Sequence, residues 1–320
     1  MSGKILVTGA TGFVGRALCE RLLDDHSCVR GTLLPFESSS LLMPGVEGVV
    51  VGPLGPDTDW NAALAGVETV IHLAARVHVM NDTSADPLAD FRLTNVAGTE
   101  KLARDAVQAG VKRLVFVSSI KVNGEEAESP YTESSPAHPV DAYGKSKWEA
   151  EQVLRRIASE DALEVVVVRP PLVYGPGVKA NFFKLMKTVD AGFPLPLASI
   201  QNRRSLIYVG NLADALVRCA THPAAAGHTY LVGDEDVVST PELIRRIAAA
   251  MGVPCRLFSF PVPCLRFLGA MSGKRSAVDR LLGSLWVDSS AIRTELGWSP
   301  PFTMNDGLRD AIVWFQRKPA

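Results

Sequence analysis

Two residues in the stretch DAYGKSKWEAE, Tyr143 and Lys147, have the types and spacing of an acid–base device. On a helix, positions i and i+4 share a face. The Lys147 ammonium then sits near the Tyr143 phenol. It favours the phenolate and draws the tyrosine pKa down from its ordinary value of about 10. Such a tyrosine passes a proton to or from a sugar or alcohol oxygen. Alone, the pair is also an ordinary feature of an amphipathic helix, so the rest of the chain must decide.

A second stretch with chemical meaning is VTGATGFVG, which places Gly9, Gly12 and Gly15 between an apolar run and a helical pattern. The early glycines let the backbone turn tightly and approach a pyrophosphate. Gly15 lets the helix pack close to the sheet, and the helix N-terminus offers N–H donors. The spacing is G-x-x-G-x-x-G rather than G-x-G-x-x-G. An acid about 20 residues further on usually meets the ribose of NAD, whereas an arginine accepts the NADP phosphate. Here RGTLLPFESS puts Leu33 and Leu34 at that place, with Arg30 inside the strand and Glu37 beyond it. Neither pattern is met, and NAD versus NADP stays open.

These residues need a scaffold, and the first half supplies one. KILVTGA, SCVRGTLL, VETVIHLAA, RLVFVSS and LEVVVVRPP read as buried strands, and GFVGRALCERLLDD and NVAGTEKLARDAVQAG as helices between them. Continuous apolar strands alternating with helices predict a parallel sheet covered on both faces, a doubly wound α/β (Rossmann) fold. After Pro170, proline and glycine become frequent and the strands shorten. Residues 1–174 are therefore expected to form the dinucleotide-binding domain, to which 204–235 returns. Residues 175–320 mainly form a smaller substrate-binding domain. Substrate is expected between the two.

Bulk properties remove other classes. Of 320 residues, 47% are hydrophobic and 21% charged, and the net charge is −1, so no basic excess points to nucleic acid. The five cysteines include no CxxC and read as reduced thiols rather than a disulfide frame or metal site. The N-terminus lacks a signal-peptide core. The apolar stretch LFSFPVPCLRFLGAM is interrupted by prolines and Arg266 and is too short to span a bilayer. A cytoplasmic protein without membrane insertion is expected.

TGATGFVG, VIHLAA, NVAGT, VFVSSIKVNG, YGKSK and RPPLVYGPG occur in this order, and NRRSLIYVGNLADAL and WVDSSAIRTELGWSPP follow them. Together they resemble the extended short-chain dehydrogenase/reductase family, over nearly the whole chain. The narrower likeness, carried by SSIKVNGE and RPPLVYGPGVKANF, is to bacterial UDP-glucose 4-epimerase-like proteins and UDP-4-keto-6-deoxy-N-acetylhexosamine reductases of polysaccharide synthesis. The resemblance implies that Tyr143 is the general acid/base. Lys147 lowers its pKa and holds the nicotinamide ribose, and Ser119 bonds the reacting oxygen. Adjacent serines on a strand end point opposite ways, so only one of Ser118 and Ser119 faces the cleft, and motif alignment selects Ser119. It further implies cofactor contacts from Gly9, Thr11, Gly12, Phe13, Val14, Leu73, Ala74, Ala75, Ser118 and Pro170. Arg204 would pair with the UDP pyrophosphate, Arg280 would assist, and Asn181 would touch sugar or nucleotide. His72 and Asn95 are expected to be structural, and Lys274 and Arg275 solvated. A homodimer through the Tyr143 helix and the NVAGTEKLARDAVQAG helix also follows from the resemblance.

Four departures shape the functional expectation. Pro53 in VGPLG replaces an aspartate that meets adenine in many relatives. Leu172 stands where many 4-epimerases have a substrate-binding asparagine, and Asn123 where many relatives have a tyrosine. Ile120 and Lys121 replace the acidic pair of the 4,6-dehydratases. Intact Tyr143 and Lys147 argue against a non-catalytic nucleotide sensor. The leading expectation is NAD(P)H-dependent reduction of a UDP-4-keto-6-deoxy-N-acetylhexosamine. The alternative is a UDP-hexose or UDP-N-acetylhexosamine 4-epimerase with tightly bound NAD.

Overall fold

Strands whose residues are apolar on both sides must be covered on both sides, and this chain obeys that rule. A computed structural model of the protein describes residues 3–77, 86–273 and 275–317. Lys274 lies outside the described residues. The strands in chain order are β1 (Lys4–Thr8), β2 (Val29–Leu33), β3 (Glu47–Val50), β4 (Val67–His72), β5 (Arg113–Val117), β6 (Glu164–Arg169), β7 (Leu172–Tyr174), β8 (Arg204–Tyr208), β9 (Thr229–Leu231) and β10 (Val237–Val238). Seven form one sheet in the order β3-β2-β1-β4-β5-β6-β9, and every pairing in it is parallel. A smaller sheet, β10-β8-β7, stands beside it.

Alternation along the strands assigns the two faces. Ile5, Val7, Ile71 and Val115 pack with Leu18 and Leu22 of helix Phe13–Asp24 and with Leu212 and Leu216 of helix Val209–Thr221. Leu6, Val70, Leu114 and Phe116 face the other way, onto Leu102 and Ala106 of helix Gly98–Gln108 and Leu154 and Ile157 of helix Ala142–Glu160. Each fully buried side chain of this size contributes about 1.5–3 kcal/mol. A third cluster joins the small sheet to helices Ala180–Asp190, Thr240–Met251 and Met304–Arg317 through Tyr174, Met186, Ile247 and Leu308.

Strand order reverses between β2-β1 and β4-β5, so the carboxyl ends of β1 and β4 flank the switch point where such sheets bind ligands. One local feature differs from the sequence expectation. The helix expected from Asn95 begins as a π-helical segment, Arg92–Ala97, before the regular helix Gly98–Gln108. The apolar stretch ending at Met271 forms a separate helix, Val262–Met271.

Candidate active site

Helix Ala142–Glu160 starts where the Asp141 side chain accepts from the Gly144 N–H at 2.7 Å, an N-cap. Gly144 is required by close approach, because a Cβ there would lie 2.8 Å from the Lys121 carbonyl oxygen. The helix buries a stripe containing Lys147, Ala150, Glu151, Leu154 and Ile157. Two ionisable residues on a core-facing stripe are costly unless paired, and so mark a site.

Tyr143 and Ser119 both line a cleft of about 610 Å³. Burial pushes the Tyr143 phenol up to about 12, the charge of Asp141 adds to this, and Ser119 opposes it. Lys147 is 2% exposed and donates to the Val117 carbonyl at 2.9 Å, with its ammonium 4.5 Å from the Phe116 ring centre. Burial brings it down to about 7, against the charge of Glu151. This corrects one expectation. The spacing does place both residues on one helix, but the lysine is held at the strand end and the phenol's pKa rises, because desolvation outweighs attraction.

The serine pair divides as strand geometry requires. Ser119 faces the cleft and caps the 3-10 turn Ile120–Val122. Ser118 turns into the protein and donates to Glu151 at 2.6 Å, so its hydroxyl is not directed at a cofactor. Arg169 grips the same carboxylate through Nε at 2.9 Å and Nη2 at 2.5 Å, and donates through Nη1 to Asn123 at 3.1 Å. This buried pair ties the ends of β5 and β6 to the Tyr143 helix. The spacing of Glu151, four residues beyond Lys147, was the available signal for it.

On the dinucleotide side, Gly9 adopts φ +69° and a Cβ on Gly15 would meet the Gly9 carbonyl oxygen at 2.1 Å. Helix Phe13–Asp24 has no side-chain cap and no acid in its first turn, so its positive end suits an anionic phosphate. These residues fit a dinucleotide. Thr8 fixes the neighbouring strand end. Its hydroxyl accepts from the N–H groups of Leu73 and Ala74 at 3.1 Å and bonds His72 Nδ1 at 2.7 Å. The other His72 nitrogen bonds Thr99 at 3.0 Å. Burial, with Lys147 adding to it, brings the imidazole down to about 3, so it is a neutral, satisfied core histidine. Asn95 is structural too, bonding the Arg76 backbone and Ser146. Leu73, Ala74 and Ala75 are half-buried after β4, and the Pro170 carbonyl receives the Ile120 N–H at 3.0 Å.

Glu37 supplies what the sequence concealed. Its carboxylate accepts from the Thr11 hydroxyl at 2.9 Å and from the Leu34 N–H at 2.8 Å. An acid therefore does stand at the glycine turn, reached by a loop that folds back. Arg30 is committed elsewhere, to Glu47 and to the carbonyls of Ala62, Ala63 and Ala65.

The cleft also gathers Asn181, Arg204, Arg280 and Leu172, the last 43% exposed. Arg204 Nη1 donates to the carbonyls of Arg280 and Gly283, which fixes one arm of its fork. Lys121, at the cleft wall, is paired with Asp141 and with Glu125 at 2.9 Å. Among the described residues no cluster of acids, histidines and cysteines suits a metal ion.

The family model described as the NAD dependent epimerase/dehydratase family matches residues 5–233. The chain is 44% identical over 321 residues to a UDP-glucose 4-epimerase of Vibrio cholerae, covering 98% of this chain and 96% of that protein. It is 26% identical, over 96% of its length and 94% of the other, to an Escherichia coli O157:H7 N-acetyl-alpha-D-glucosaminyl-diphospho-ditrans,octacis-undecaprenol 4-epimerase. Among solved structures, MoeE5 in complex with UDP-glucose and NAD superposes with a TM-score of 0.76 at 25% identity, over 98% of this chain and 99% of that one. A family model that spans 5–233, the stretch holding the glycine turn and the Tyr143 helix, together with 44% identity over nearly the whole chain, makes this protein an enzyme of the NAD dependent epimerase/dehydratase family, the extended short-chain dehydrogenase/reductases.

Proposed function

We propose that the protein is an NAD-dependent 4-epimerase of a UDP-sugar. The observation that carries this is the meeting of Ser119 and Tyr143 in one cleft with Arg204 and Arg280. The serine and tyrosine are a proton-handling pair. The arginines suit a diphosphate, which a guanidinium can hold through two parallel hydrogen bonds. The relative named UDP-glucose 4-epimerase, at 44% identity, supports an epimerase ahead of the reductase expected from sequence.

Bound NAD supplies the acceptor and donor of hydride at C4. Tyr143 takes the C4 hydroxyl proton and returns it, while Ser119 holds the same oxygen. Lys147 faces the nicotinamide ribose. The arginines anchor the nucleotide end, and the cleft walls also include the apolar Leu195 and Leu197. Apolar walls offer few hydrogen bonds to fix one sugar orientation, so a sugar held by its diphosphate can present either face.

NAD is our reading of the cofactor. Glu37 beside Thr11 suits ribose hydroxyls and repels a 2′-phosphate, and Arg30 is not free to bind one. Glu37→Ala is therefore expected to shift the NADPH-to-NADH affinity ratio towards NADPH by about tenfold, or 1.4 kcal/mol. Fluorescence titration of cofactor-stripped protein reads this. An unchanged ratio removes Glu37 from cofactor selection.

The test of function is conversion of UDP-glucose, and separately UDP-N-acetylglucosamine, to the C4 epimer, followed by chromatography alongside nicotinamide absorbance. Epimer formation without net change in reduced nicotinamide is expected. Leu172 on the cleft favours the reductase as second reading. Stoichiometric NADH consumption with a UDP-4-keto-6-deoxy-N-acetylhexosamine, and no epimer, would establish that reading instead.

A further inference from the structure

Helix Val262–Met271, VPCLRFLGAM, is apolar and almost uncovered. Its only buried residue is Gly269, which packs against Val278 of helix Arg275–Leu282. Phe267 is 65% exposed, Met271 74% and Leu268 53%, and Phe258 on the preceding segment is 45% exposed. An exposed apolar cluster of this kind marks a place where something else docks.

Charge narrows what docks. Between Gly252 and Gly283 the sequence carries five basic residues, Arg256, Arg266, Lys274, Arg275 and Arg280, against the single acid Asp279. The whole chain has a net charge of −1, so the rest of it carries the opposite balance. A second copy meeting this helix symmetrically would set like charges against like. An apolar stripe with exposed phenylalanines and flanking arginines fits the boundary between acyl chains and anionic headgroups. The helix is too short to cross a bilayer, and no described helix is long and apolar enough to do so. A helix lying in the plane of the surface is the arrangement left.

The same segment frames the substrate cleft. Leu195 exchanges backbone hydrogen bonds with Arg256 and Phe258, at 2.8 and 3.0 Å. Leu195, Arg280 and Leu281 all line the cleft. We propose that helix Val262–Met271 docks on an anionic phospholipid surface, with Phe267, Leu268 and Met271 at the acyl boundary and Arg266 on the headgroups. The substrate cleft then lies next to the membrane.

Co-sedimentation with phosphatidylglycerol vesicles tests this, with phosphatidylcholine vesicles as the neutral control. The intact protein is expected to sediment with the anionic vesicles, to be released by salt, and to bind the neutral ones far more weakly. The double variant Phe267→Asp/Met271→Asp is expected to lose vesicle binding while its circular dichroism and melting stay as in the parent. Arg266→Gln should weaken partitioning about fivefold, the contribution of one basic residue near such a surface. Should the double variant fail to fold, Arg266→Gln and the salt dependence carry the same test. No binding to phosphatidylglycerol, or binding indifferent to these substitutions, overturns the proposal. So does light scattering that shows a parent dimer which the double variant converts to monomer, for the helix is then a self-interface.

Discussion

Tyr143→Phe is expected to lower kcat by about 10²–10⁴-fold while leaving the fold and dinucleotide affinity in place. The substitution removes one oxygen and keeps the ring, which packs edge-on to Phe91 at 6.2 Å between centroids. That oxygen is the proton carrier at the cleft. Burial, then the charge of Asp141, pushes it up to about 12, so at neutral pH the free enzyme holds it as a phenol, the form that returns the proton, and the phenolate that first takes the C4 proton has to form in the loaded cleft. Ser119 works in the opposite sense, by favouring the ionised form. Ser119→Ala should therefore slow turnover too, by less than the loss of the phenol itself. Steady-state rates on the UDP-sugar, paired with NADH titration, separate the two roles. If kcat drops less than tenfold with cofactor affinity intact, Tyr143 is not the acid/base and another group must carry the proton.

The sequence exposed this chemistry unevenly, and the reasons are physical. Strand pairing was legible because β1, β4, β5 and β6 are apolar at successive positions, and only a sheet covered on both faces buries such runs. The glycine turn was legible because Gly15 sits where any side chain would strike the Gly9 carbonyl. Spacing put Tyr143 and Lys147 on one helix, but it could not show that the ammonium reaches the Val117 carbonyl, since β5 lies 30 residues earlier in the chain. Glu37 was hidden because its loop folds back past the end of β2, and residue counting from the glycine turn assumes an extended strand end. Hydropathy marked the stretch ending at Met271 as apolar, yet hydropathy does not say whether an apolar helix is covered. The small sheet of β7, β8 and β10 was missed because its strands run to only 3, 5 and 2 residues.

Glu151→Ala is expected to cost about 3–5 kcal/mol of stability, the largest loss from any single substitution considered above. Glu151 is fully buried and Arg169 is 3% exposed. The carboxylate accepts from Ser118 and from two nitrogens of the Arg169 fork, so both ions are desolvated and satisfied together. Removing only the acid leaves a guanidinium in the core with Asn123 as its remaining hydrogen-bond acceptor. The double variant Glu151→Met/Arg169→Met removes both charges and fills the space, and should recover most of the lost stability, because a buried ion pair is worth little against well-packed apolar side chains. Activity should not recover with it. The charge of Glu151 is what opposes the burial that draws Lys147 down to about 7, and its hydrogen bond anchors Ser118 beside the cleft serine. Urea denaturation and kcat, measured on the single and double variants, give the two readouts. A double variant that is both stable and fully active would show that the pair has no part in positioning Lys147 and Ser119. A double variant that is stable and slow would mean that the pair sits under the Tyr143 helix for the sake of the reaction rather than the fold.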